Sequence, residues 1–80
     1  MEKYRFPAED LDDRAGLLLE EGNFIALRKE KGNTCALYEL YGLYVEVIIR
    51  KREVTFIDFL YDTDRLASYV KKHMLKTLLL

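Results

Sequence analysis

The chain has 80 residues, of which half are apolar and about a third are charged. This length and balance predict one small folded domain over residues 1–80, and they exclude a disordered chain and a second domain within these residues. The net charge of -1 lacks the basic excess that is typical of general nucleic-acid binders. The single cysteine excludes an internal disulfide or a multi-thiolate zinc site, and it favours a reducing, cytoplasmic location.

The first predicted element is a helix within residues 7–22, PAEDLDDRAGLLLEEG. Pro7 suits a first helical turn, acidic residues near the start favour the positive end of the helix dipole, and Gly22 supplies the stop. Gly16 weakens the helix by up to about 1 kcal/mol, so we expect it to depend on tertiary packing. The face predicted to pack carries Leu11, Ala15, Leu18 and Leu19.

After Asn23 the pattern changes to runs of strand-forming residues separated by turns. Gly32 and Asn33 tolerate the positive φ of a tight hairpin and predict the first turn there. Tyr41 and Gly42 predict a second, two-residue turn. That turn would pair three sets of residues across the strands: Leu40 with Leu43, Tyr38 with Val45, and Ala36 with Val47.

A third hairpin and a second helix complete the predicted chain. Strand-forming runs flank a charged three-residue tip at 51–53, and Asp62 or Thr63 supplies the helix N-cap. The apolar arc of this helix holds Leu66, Ala67, Tyr69, Val70, His73 and Met74. The sequence therefore predicts an α+β fold: an N-terminal helix, a four-stranded antiparallel β-meander and a C-terminal helix.

The predicted register divides the sheet into two faces. The first face would carry Ile25, Leu27, Ala36, Tyr38, Leu40, Val45, Val47, Ile49, Ile57 and Phe59. The second would carry Phe24, Ala26, Arg28, Cys35, Leu37, Glu39, Tyr41, Tyr44, Glu46, Ile48, Phe56, Asp58 and Leu60. Helices usually segregate to one side of an antiparallel sheet, which favours both on the first face. The alternative places one helix on each face.

With both helices on the first face, the second face would be too apolar for a solvated surface. We then expect a non-catalytic protein–protein interaction module that binds another protein or itself as a homodimer. Tyrosine and phenylalanine are typical of interface cores. The candidate contact residues are Leu37, Tyr41, Tyr44, Ile48 and Phe56. The register also sets Glu46 near Asp58, which is unfavourable unless Arg28 or Arg50 lies close.

The alternative function is nucleic-acid binding by two basic turns, which a meander places at the same end of the sheet. Their residues are Arg28, Lys29 and Lys31 in the first turn, and Arg50, Lys51 and Arg52 in the third. Such a cluster can hold a phosphate backbone. Glu30 and Glu53 dilute it, and charged tips also serve solubility and edge protection.

No motif predicts an enzyme, a cofactor or a metal site. A catalytic reading requires Cys35 to lie near His73, the only histidine, and nothing local marks either residue as reactive. The paired carboxylates lie at predicted helix ends, and the glycines are scattered rather than grouped in a phosphate-binding loop. No apolar run reaches the roughly 20 residues of a membrane span, so we expect no membrane partner.

Residues 17–70 resemble a group of small uncharacterised bacterial proteins. The similarity rests on a leucine-rich helix ending in LLLEEG, a first strand GNFIALR, the strands ALYELYGLYVEV and a terminal helix rich in leucine and tyrosine. This resemblance implies a compact α+β domain and brings no catalytic residue with it. The tip RKRE, at residues 50–53, is more basic than the corresponding loops of the group.

Overall fold

Two helices flank four consecutive strands in the computed structural model, which describes residues 4–69. The elements are α1 Leu11–Glu21, β1 Asn23–Glu30, β2 Asn33–Leu40, β3 Leu43–Arg50, β4 Glu53–Phe59 and α2 Thr63–Tyr69. The strands form one antiparallel sheet in the order β1-β2-β3-β4. The predicted α+β fold is confirmed. Val70, His73 and Met74 of the predicted second helix lie outside the described residues.

All three hairpins turn through two residues with positive φ, which is the type I′ geometry that matches the twist of antiparallel strands. Tyr41 and Gly42 form the middle turn, and the predicted pairing of β2 with β3 is confirmed at all three sets of residues. The first turn is Lys31–Gly32 rather than Gly32–Asn33. Glycine therefore occupies the second position of the first two turns.

β1 contains a bulge, which the sequence analysis did not predict. Phe24 pairs with Tyr38 and Ala26 with Leu37, so Ile25 is an extra residue between them. The extra residue reverses the alternation of side chains before it. Phe24 therefore lies on the first face, with its ring at 5.6 Å from that of Tyr38, and Ile25 packs on the second. The predicted faces of Phe24 and Ile25 were wrong.

β4 also contains a bulge, and its turn is shorter than predicted. Arg50 pairs with Glu53, which leaves a two-residue turn, and Thr55 is the extra residue between Val54 and Phe56. The turn and the bulge together restore the predicted register, so Glu46 does lie opposite Asp58. Both outer strands of the sheet thus carry a bulge, a device that hinders pairing with the edge of another sheet.

One helix packs on each face of the sheet, so the favoured prediction of both helices on the first face was wrong. α1 contributes Leu18 to a first-face core. The other members of this core are Phe6, Ala36, Leu40, Val45, Val47 and Ile57. α2 contributes Leu66 and Tyr69 to a second core with Cys35 and Leu37. The second face is therefore partly covered by the chain itself.

α1 begins at an Asp10 cap, whose Oδ1 accepts a hydrogen bond of 2.9 Å from the backbone nitrogen of Asp13. Arg14 ties the helix to β4, because its Nη1 donates to the Ile57 carbonyl oxygen at 2.6 Å. Leu17 packs against the first-face core in place of Leu19, which was wrongly predicted to pack and is 83% exposed.

Gly16 within α1 and Gly22, which follows its last residue, give a matched test of packing. A Cβ at Gly22 would lie 2.8 Å from the Leu18 carbonyl oxygen, whereas a Cβ at Gly16 has nothing within 4 Å. We expect Gly22→Ala to destabilise the fold by about 1–3 kcal/mol, the usual cost of overpacking. Gly16→Ala should stabilise it by about 1 kcal/mol, since alanine is the better helix former. Urea unfolding of both variants checks the opposite signs.

Candidate functional site

A charged network lies beneath α2 on the second face of the sheet. Glu46, from the middle of β3, is only 2% exposed. Arg65 of α2 donates two parallel hydrogen bonds to the Glu46 carboxylate, from Nε to Oε1 and from Nη2 to Oε2, each 2.9 Å long. This fork geometry is the strongest common pairing of arginine with a carboxylate. It fastens α2 to the central strands.

Tyr69 closes the network from the last turn of α2. Its hydroxyl donates a 2.6 Å hydrogen bond to Glu46 Oε2, and its ring lies under the Arg28 guanidinium at 5.0 Å. Burial and this hydrogen bond raise the pKa of Tyr69 well above its ordinary value. The hydrogen bonds to Glu46 likewise raise the pKa of Arg65, so both donors remain protonated.

Arg28 and Glu30 complete the network from β1. Arg28 Nη2 lies 2.8 Å from Glu30 Oε1 and 3.7 Å from Glu46 Oε2, and Arg65 Nη1 lies 3.3 Å from the same Glu30 oxygen. The hydrogen bond from Arg28 lowers the pKa of Glu30. The like-charge pair of Glu46 and Asp58 was predicted to be unfavourable unless an arginine lies close. Arg28 is that arginine, and Arg65 is a second partner that the sequence analysis missed.

Cys35 lies in the same region, fully buried between the sheet and α2. Burial raises the pKa of its thiol, which is the opposite of the shift that activates a nucleophilic cysteine. His73, the partner that a catalytic reading requires, lies outside the described residues. The surroundings of Cys35 give it the character of a small core residue.

The five predicted contact residues do not form one surface. Leu37 is 4% exposed, and Ile48 is half-buried against the second core, so α2 removes both from the outer surface. Tyr44 and Phe56 are exposed, but Glu46 and Asp58 lie between them along β3 and β4. Tyr41 is exposed in its turn, where its hydroxyl donates to Glu21 at 3.0 Å.

A different apolar surface lies on the first face, beyond the reach of α1. Phe24 and Leu27 of β1 are 56% and 60% exposed, and they adjoin the half-buried Tyr38 of β2. We call these three residues the β1 surface. Leu19, which is also exposed, lies about 140° around α1 from Arg14, the residue that contacts β4. The sequence analysis missed this surface because the bulge at Ile25 moves Phe24 to the first face.

The six predicted nucleic-acid residues lie at one end of the sheet, as the meander requires, in residues 28–31 and 50–53, which belong to the first and third turns and the strand ends beside them. We call these two segments the basic tips. Arg28 is paired with Glu30 and Glu46 and is not a free surface charge. Lys29, Lys31, Arg50, Lys51 and Arg52 remain as the accessible members.

An open cleft lies between the N-terminal segment and the end of β4. Its lining includes Phe6, Arg14, Asp58 and Phe59. Arg14 stacks on the Phe6 ring at 5.0 Å and donates to the carbonyl oxygens of Ala8 and Ile57. Because these donors are already used, the arginine serves to anchor the segment over the edge of β4.

Residues 4–69 contain no group of three histidine, cysteine, aspartate or glutamate side chains placed to hold a metal ion. In the same range no helix is long and apolar enough to cross a membrane. No protein-family model matches the chain, and neither a curated protein nor a solved structure matches it. The resemblance to small bacterial α+β proteins therefore stays a prediction.

Proposed function

We propose that the protein is a non-catalytic interaction module that forms a homodimer through the β1 surface. The observation that supports this is the pair Phe24 and Leu27, two large apolar side chains that are more than half exposed next to each other. A contiguous apolar patch on a small protein is typical of a contact surface. The partner is a second copy of this chain.

The contact is through the face of the sheet rather than through its edge. The bulge at Ile25 and the exposed Lys29 hinder extension of the sheet from β1. The rings of Phe24 and Tyr38 are packed edge to face, so they present a preformed apolar surface. Joining two such surfaces removes apolar area from water without breaking a hydrogen bond.

Charges around the β1 surface favour a second copy in an antiparallel orientation. Lys29 and Lys31 lie at one end of β1, and Glu20 and Glu21 lie at the other, where α1 leads into the strand. A two-fold axis through the surface brings the basic end of each copy against the acidic end of the other. Such complementarity sets orientation and speeds association.

A cytosolic location and the absence of catalysis belong to the same proposal. The single cysteine is free and buried, as suits a reducing compartment. The raised pKa of its thiol and the mutual pairing of Arg65 with Glu46 support the absence of catalysis. The network is explained by the attachment of α2 to the sheet.

The Leu27→Asp variant tests the dimer. Each dimer would place two carboxylates in the apolar contact and lose two leucines, so we expect the dissociation constant to rise at least about a hundredfold. Sedimentation velocity over a wide range of concentrations measures this, and circular dichroism checks that the fold is kept. A wild-type protein that remains monomeric at the highest concentration would overturn the proposal.

Phe56→Asp is the matched control. Phe56 is 42% exposed, and it lies on the second face, so its replacement should leave the dissociation constant within about twofold of the wild type. If Phe56→Asp lost the dimer and Leu27→Asp kept it, the dimer contact would lie on the second face of the sheet. That result would contradict the β1 surface and support the surface first predicted from the sequence.

A further inference from the structure

The near-neutral net charge conceals a strong separation of charge along the described chain. The basic tips hold six of the nine arginine and lysine residues in residues 4–69, but only two of the thirteen aspartate and glutamate residues. The acidic residues lie mainly along α1 and around the start of α2. Within residues 4–69, one end of the sheet is therefore basic and the remainder is acidic.

Most of the basic charge at the tips is free of internal partners. Within residues 4–69, Lys31, Arg50, Lys51 and Arg52 form no ion pair, and Lys29 bonds only to the Thr34 hydroxyl at 2.9 Å. The carboxylate of Glu30 is occupied by Arg28 and Arg65. Glu53 is the one acidic side chain at the tips that such pairing does not occupy.

The two charged residues of the third turn have a strained backbone conformation. Lys51 and Arg52 have φ of 51° and 68°, although left-handed backbone favours glycine and asparagine. The equivalent second position is glycine in both other hairpins, at Gly32 and Gly42. Backbone strain at a position that is glycine in the other two turns points to a functional constraint on the side chain found there. Here that side chain is the Arg52 guanidinium.

We propose that the basic tips bind the phosphate backbone of nucleic acid without reading its bases. The two turns lie two strand spacings apart, roughly 10 Å, so they form a double row of cations. Lysine and arginine are the usual donors to phosphate oxygens. Base recognition is not part of the proposal, because the exposed aromatic side chains of Tyr41 and Tyr44, on which bases could stack, lie at the opposite end of the sheet.

Nucleic acid fits the tips better than an acidic protein surface does. Protein contacts draw most of their energy from tryptophan, tyrosine and arginine side chains that are desolvated in well-packed pockets. The tip residues 50–53 and 29–31 include no aromatic or apolar side chain that could surround their arginines with such a pocket, and they project as two charged segments. The acidic remainder of residues 4–69 repels a polyanion, which orients the approach tip first and limits the affinity at physiological salt.

The double variant Lys51→Asn/Arg52→Gly tests this inference. It replaces the strained pair by Asn-Gly, the preferred type I′ sequence, so we expect the melting temperature to rise by roughly 4–8 °C. Two cations are lost, so the slope of log affinity against log salt for double-stranded DNA should fall by about two. Fluorescence anisotropy of a labelled 20-base-pair duplex from 20 to 200 mM NaCl measures the slope.

Tyr41→Asn is the matched control, since it also creates an Asn-Gly turn but at the far end of the sheet and without loss of a cation. Its DNA affinity should equal that of the wild type. Absence of wild-type binding at 20 mM NaCl, or equal binding by the double variant, would overturn the inference. Equal affinity for polyglutamate of matched charge would overturn the choice of nucleic acid as the ligand.

The proposed dimer and the basic tips share Lys29 and Lys31, whereas Arg50, Lys51 and Arg52 lie outside the β1 surface. Leu27→Asp changes the β1 surface and leaves every cation of the tips in place. We expect the monomeric variant to bind DNA at least as tightly as the dimer, because the acidic end of a second copy no longer lies against Lys29 and Lys31. The two proposals can therefore fail separately in the same set of measurements.

Discussion

Glu46→Ala is expected to lower the free energy of unfolding by about 3–5 kcal/mol, the usual cost of removing one partner of a buried ion pair. The loss would leave the Arg65 guanidinium and the Tyr69 hydroxyl under α2 without their acceptor. Urea unfolding measures the change. Labelling of the Cys35 thiol provides a second measurement, because that thiol is buried beneath Tyr69 and should react faster when α2 detaches.

Two controls separate charge from the general effect of substitution. Glu53→Ala removes an exposed glutamate from the edge of the same sheet, and it should change stability by less than about 0.5 kcal/mol. Glu46→Gln keeps the shape of the side chain but loses its charge, so its effect should lie between the two. An alanine variant as stable as the wild type, with no faster labelling of Cys35, would show that the network does not hold α2.

Leu40→Ala should cost about 2–5 kcal/mol, the range for truncation of a fully buried leucine. Leu40 ends β2, has no exposed surface and packs in the first-face core with Leu18 and Val45. A domain of 80 residues has little stability to spare, so this variant should be partly unfolded at 37 °C. Thermal unfolding followed by circular dichroism measures the loss.

Leu19→Ala is the control for this truncation, because it makes the same chemical change at a leucine that is 83% exposed. No cavity forms there, so we expect a change below about 0.5 kcal/mol. A loss at Leu19 as large as that at Leu40 would contradict the description of α1 as packed through Leu17 and Leu18. Such a loss would mean that the side of α1 that carries Leu19 packs in the core.

The order and type of the elements followed from local patterns that need no tertiary information. Gly42 after Tyr41, with strand-forming residues on both sides, determined the β2–β3 register. Of the two residues predicted as the helix cap, Asp62 and Thr63, it is Asp62 whose Oδ1 accepts from the backbone nitrogens of Asp64 and Arg65. In these cases the residues that specify the structure are adjacent in the sequence.

The bulges could not be predicted from alternation of side chains. A bulge is one additional residue in a strand, and the pattern around Ile25 or Thr55 fits a regular strand equally well. Two errors followed, because Phe24 was assigned to the wrong face and the third turn was made one residue too long. Because of the first error, the sequence analysis did not predict the β1 surface.

The face of the sheet on which α2 packs also could not be predicted from local sequence patterns. The general tendency of helices to share one side of an antiparallel sheet favoured the wrong arrangement. A signal was nevertheless present: Glu46 in a central strand and Arg65 in the following helix form a pair of opposite charges. A buried carboxylate requires such a partner, and seeking one for Glu46 would have placed α2 on the second face.

The bulges also bear on where the length of this chain can change. Removing Ile25 would restore a regular ladder with Phe24 still opposite Tyr38 and Ala26 still opposite Leu37, and removing Thr55 would likewise leave Val54 and Phe56 opposite their present partners. A deletion within β2 or β3 would instead transfer half of a central strand from one core to the other. A single-residue deletion is therefore tolerable at the two bulges of the outer strands and disruptive within the inner pair.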